Sequence, residues 1–191
     1  QSFIKQQYNE VRSGINSRLT EGDASTNKME PVSGCKNAAI PGNNNGCYII
    51  GRLLTFDNDG EVGRVKSSFI IAVVGANSKW PDSTKPGLYN LNNGVTLYAL
   101  TDTSGNDAGL NPTIKQMGGN SLEKVWLLQN GGLETLYSAH PSLGSNLKNN
   151  MAILRSPVDG SLVVASKVNL APSSGITGLK KLNLQSAVTN M

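Results

Sequence analysis

The chain has 191 residues, 38% of them hydrophobic and only 16% charged, with 21 glycines and a net charge of +4. That length suits one domain with a real core, and low charge among so many Gly, Asn and Ser argues against both a disordered polyampholyte and a helical bundle. The modest positive balance allows weak attraction to acidic surfaces or nucleic acid without demanding it.

Ile4, Tyr8, Val11, Ile15 and Leu19 recur at steps of four, three, four and four. At roughly 100° per residue they fall within an arc of roughly 80°, which predicts an amphipathic helix from Gln1 to about Leu19. Its apolar face must lie on the rest of the chain, while Gln6, Asn9, Glu10, Ser13 and Ser17 fall on the far side. Phe3 and Ile4 follow the first residue so closely that no room is left for an N-cap. The start therefore reads as a cut end, the C-terminal half of a helix that continues upstream.

The pattern breaks at Gly22 and Asp23, so the helical segment is 1–21, and 22–46 has no periodicity and reads as a long loop. Cys35 and Cys47 enclose a polar stretch rich in Asn, Gly and Pro near its end. This pair reads as a disulfide staple, with two unpaired thiols of a cytosolic protein as the alternative. A metal site is disfavoured, because the only other soft ligand is the distant His140.

From residue 47 to the end the chain predicts an antiparallel β region with long loops. Cys47 to Phe56 and Arg64 to Val74 are apolar on both faces, as central strands are, around a turn at Asp57-Asn-Asp-Gly60. Leu88–Leu91 and Val95–Leu100 form a second predicted hairpin around Asn92-Asn93-Gly94, and Thr101 to Asn120 reads as irregular. Leu122–Leu128 favours a strand, while Leu133–Ala139 is ambiguous. Met151–Arg155 and Leu162–Ala165 flank Ser156-Pro-Val-Asp-Gly160 as a last hairpin. The tail set Leu179, Leu182, Leu184 and Val188 fits no single period. The expectation is one α+β domain over 1–191, with the N-terminal helix packed on an antiparallel sheet.

No catalytic signature or cofactor motif is present. His140 lies in Ser138-Ala-His-Pro-Ser142 with no presented nucleophile, and reads as a surface loop residue. Asp57 to Gly60 has Thr55 where a calcium loop needs an acidic or amide side chain and Lys66 where it needs a glutamate, so the turn reading wins. Thr101 to Asp107 is rich in oxygen donors but has no recognised spacing. The Gly118-Gly119 and Gly131-Gly132 pairs match no phosphate loop. Lys180-Lys181 is the one adjacent basic pair and the sole candidate for DNA contact, only weakly supported with aromatics at 5%.

The order of elements, a helix cut at its N-terminal end, a long loop and hairpins, resembles the soluble part of a type IV pilin-like protein of the minor pilin and pseudopilin branch. Gly46-Cys-Tyr-Ile-Ile-Gly-Arg-Leu-Leu-Thr-Phe56 and Ile153-Leu-Arg-Ser-Pro-Val-Asp-Gly160 add to the likeness. The resemblance implies a non-enzymatic, extracellular filament subunit without a cofactor, serving adhesion, motility, DNA uptake or secretion. Its partners would be other pilin subunits met through the helix, and a host or neighbouring cell surface. The membrane would be engaged only through a segment upstream of Gln1. The competing expectation is a free cell-surface adhesin or ligand-binding module.

Overall fold

The computed structural model describes residues 2–13, 47–59, 61–74, 95–100, 112–117, 124–129, 132–138, 147–148, 150–155, 162–172 and 179–189. Helix α1 (Ser2–Ser13) is described together with the strands β1 (Cys47–Asp59), β2 (Val62–Val74), β3 (Val95–Leu100), β4 (Thr113–Met117), β5 (Lys124–Gln129) and β6 (Gly132–Ser138). After these come β7 (Leu147–Lys148), β8 (Asn150–Arg155), β9 (Leu162–Pro172) and β10 (Leu179–Thr189).

Six strands close on themselves. The hydrogen-bonded order β1-β8-β9-β10-β3-β2 returns to β1 through the β1–β2 pair, and every pairing is antiparallel. Among the described residues the fold is thus a six-stranded β-barrel with one short helix. This overturns the α+β expectation of a helix laid on an open sheet. Closure depends on β10, formed by the tail whose apolar spacing fitted no single period. It pairs with β9 along one side and with β3 along the other, joining the last hairpin to the strand that follows the first.

The barrel interior explains the doubly apolar strands. Ile50, Leu53, Ile70, Leu97, Leu154 and Leu182 fill it together with Ala72, Ala99, Ala152 and Ala165. A barrel of few strands is narrow, so alanines must alternate with larger side chains for the interior to close without clashes. The other face of β1 turns outward, yet Leu54 and Phe56 are also buried, because α1 lies over them. Period-two alternation is masked wherever both faces of a strand are covered.

Bulges adjust the alternation. The β1–β2 register slips between Ile49 and Gly51, so Ile50 and Leu53 both reach the interior although three positions apart. At Gly51, β1 runs so close to β8 that an added Cβ would collide with the Ile153 carbonyl oxygen. Only glycine permits that approach.

β4 pairs with β2 at Gly63–Ser67, beyond the stretch of β2 that pairs with β3, and lies outside the ring. β5, β6 and β7 form a separate three-stranded antiparallel sheet. Thr113–Met117 was expected to be irregular, and the ambiguous stretch after Gly132 is strand. Ile15, Leu19, the 22–46 loop and Leu88–Leu91 lie outside the described residues. Among the described residues, no helix is long and apolar enough to cross a membrane.

Candidate functional site

The best-defined feature of the molecular surface is the seam where α1 meets the outer wall of the barrel. The helix places Val11 with half-buried Phe3, Ile4 and Tyr8 against Leu54, Phe56, Val65, Met151, Ile153 and Val164. These barrel residues are the outward positions of β1, β2, β8 and β9, neighbours around the ring. The helix therefore has two long edges, one towards β1 and β2 and the other towards β8 and β9, and the chemistry of the two differs.

The first edge is polar and sealed. Ser67 of β2 donates a hydrogen bond to Gln7 Oε1 at 2.6 Å, both residues being buried. Arg52 of β1, with a side chain 4% exposed, donates to Glu10 Oε2 at 3.2 Å. Its guanidinium also lies 3.6 Å from the centroid of the Phe69 ring, a cation–π contact between adjacent strands. Burial pushes the Arg52 guanidinium down to about 10, while the charge and hydrogen bond of Glu10 pull it back up. It is therefore still a cation at neutral pH, and needs its carboxylate partner. Gln6 donates to the other Glu10 oxygen at 3.0 Å. At the helix C-terminal end, Arg155 donates to the Arg12 carbonyl at 2.7 Å, and Ser13 Oγ donates to the Asn9 carbonyl at 2.8 Å. These cations and donors suit the carbonyl end of a helix.

The second edge is apolar and open. Ile4, Tyr8, Met151, Ile153 and Val164 wall a groove of about 280 Å³, with Lys5 and Asn9 of α1 also lining it.

A separate ion cluster lies at the β1–β2 hairpin. Arg64 forms a two-point contact with Asp57 at 2.8 and 2.9 Å and reaches Asp59 at 3.1 Å. Hydrogen bonding and charge from Asp57, with a smaller contribution from Asp59, raise the Arg64 guanidinium above its ordinary value. The aspartates of the expected turn thus serve to hold an arginine on the neighbouring strand.

Of the residues singled out in the sequence, Ile4, Tyr8 and Val11 meet in the helix–barrel cluster. Cys47 begins β1, opposite Val73 in register, but Cys35 and therefore the proposed disulfide lie outside the described residues. His140 and the 101–107 stretch lie there too. Lys180 and Lys181 are consecutive on β10, so they project to opposite faces; Lys180 is half-buried on the side of Leu182 and Lys181 is exposed. They do not form one phosphate-contacting patch. Among the described residues no group of acidic, His or Cys side chains is placed to hold a metal ion.

Sequence reasoning missed Gln7, Arg52, Ser67 and Phe69, and it put Glu10 on the far side of the helix. Glu10 sits at the border of the stripe, where its length lets it turn back to Arg52. A charged residue inside the apolar run Ile49 to Leu54 was the available signal, because a buried arginine requires a carboxylate. Comparisons with known protein families, curated proteins and solved structures found no match to this chain.

Proposed function

We propose that this chain is a structural subunit of an extracellular type IV pilus-like filament, in the minor pilin or pseudopilin role that its sequence resembles. In this reading it is non-enzymatic, α1 is the element of assembly, and the barrel is the body carried on it. The observation that carries the reading is the polar edge of α1. A helix held by an apolar stripe alone can roll or slide, because apolar contact is non-directional. The buried Gln7–Ser67 bond and the Glu10–Arg52 pair each specify one register and one rotation. A subunit that joins its neighbours through a helix needs such a joint, since load on the helix must reach the body.

The rival reading, a free cell-surface ligand-binding module, is favoured by the open groove on the other edge. Immunogold labelling of intact cells with antibody against the barrel separates the two. Label in rows along thin surface filaments is the expected result. Dispersed surface label without filaments, or label confined to the cytosol, rejects the filament role.

A further inference from the structure

We propose that the groove between α1 and the β8–β9 wall binds a medium-chain aliphatic carboxylate, with its chain in the slot and its carboxylate at Lys5 and Asn9. At about 280 Å³ the groove lies near the lower end of the range for small-molecule sites, which suits a single short chain. Ile4, Tyr8, Met151, Ile153 and Val164 offer the slot little that hydrogen-bonds, so its filling must be apolar. The mouth has the opposite character. Lys5 and Asn9 are four residues apart on an exposed ridge of α1, where side chains at this spacing are neighbours. One offers an ammonium and the other an amide donor.

Among the described residues no carboxylate lines the groove and Lys5 has no ion-pair partner. Glu10, the nearest acidic residue along the helix, is held by Arg52 and Gln6 on the opposite edge. The charge left at the mouth is therefore positive, and it selects an anionic head over a neutral or cationic one. The proposal concerns the single chain and stands whether or not the protein assembles into filaments.

The test is calorimetric titration of the whole chain with hexanoate, octanoate and decanoate below their micelle concentrations, with decanol and decylamine as controls of equal length. Saturable one-to-one binding is expected. Affinity should rise about three- to fourfold per methylene until the slot is full. Decanoate should exceed decylamine by about fivefold, as an exposed ion pair allows. Lys5→Glu should reverse that order. Asn9→Trp, at an exposed position, should block all the chains while leaving the circular-dichroism melt unchanged. Absence of saturable decanoate binding, equal binding of decylamine, or an unchanged preference in Lys5→Glu would each overturn the proposal. So would self-association that decanoate displaces and Asn9→Trp abolishes, which would assign the groove to a second copy of the chain.

Discussion

Ser67 and Ser68 are adjacent, both buried, and energetically opposite. Ser67 faces outward and donates to the buried Gln7 amide, whereas Ser68 Oγ has no hydrogen-bond partner among the described residues. A buried group that loses its partner costs its full desolvation, while removing an unpartnered group removes a penalty. Chemical denaturation should therefore show Ser67→Ala destabilised by about 1–3 kcal/mol, with Ser68→Ala unchanged or up to about 1 kcal/mol more stable. Equal losses at the two sites would mean that Ser68 has a partner or that Gln7 does not need one.

The Arg52–Glu10 pair is asymmetric in the same way. Arg52 is enclosed between α1 and Phe69 and cannot leave, but Glu10 sits at a helix edge from which it can turn to water. Glu10→Ala should cost about 3 kcal/mol by stranding a buried cation, whereas Arg52→Met should stay within about 1 kcal/mol of the parent. The pH dependence has a definite sign. The folded arginine gives up its proton near 10, below the value of an unfolded one, so between those limits the unfolded chain binds more protons and stability rises with pH. That contribution is lost as pH falls through about 10. The stability of the parent relative to Arg52→Met should accordingly be flat up to pH about 9 and grow from there towards 12. A difference that shrinks over that window would contradict the burial of the charge.

Among the elements, β1 carries the most constraint, because it pairs with β2 and β8, lines the interior and lies under α1. Gly51 is where these demands meet. Gly51→Ala puts a methyl against the Ile153 carbonyl and should cost about 3 kcal/mol by forcing β1 from β8, measured as a lower urea midpoint. A change below about 0.5 kcal/mol would show that the two strands separate easily there. Part of this element was legible. The apolar run from Cys47 to Phe56 marked a strand covered on both faces, but the expected turn at Asp57-Asn-Asp-Gly60 was placed too early: Asp57, Asn58 and Asp59 continue β1, paired with Arg64, Gly63 and Val62. The apolar periodicity of α1 identified its buried side. The polar edge was not legible, because Gln7 and Ser67 are 60 residues apart in sequence and neither breaks a pattern. Nor was β4, whose side chains from Thr113 to Gln116 are all exposed, so that no alternation of buried and exposed residues is imposed on it.

For the molecule as a whole, closure is what local reasoning could not supply. Doubly covered strands are equally consistent with a sheet between two layers and with a barrel whose outer wall carries a helix. The choice rests on β10 pairing with both β9 and β3, a relation between distant segments. Closure has an observable consequence. In an open sheet cut at the β10–β3 junction, those two strands would be edges and would fray first. In the closed barrel each has a hydrogen-bonded neighbour on both sides over part of its length, and Leu97, Ala99 and Leu182 point into the shared interior. Opening either one breaks two ladders and exposes the same core that opening β1 would expose. Native-state amide exchange should then place the paired residues 98–100 and 179–181 with the slowest amides of β1 and β8, at the free energy of global unfolding. β4, outside the ring with exposed side chains, should exchange by local opening at lower free energy. Early exchange at 98–100 and 179–181 would instead describe an open sheet, and would leave Ala72, Ala99, Ala152 and Ala165 without the narrow interior that calls for small side chains.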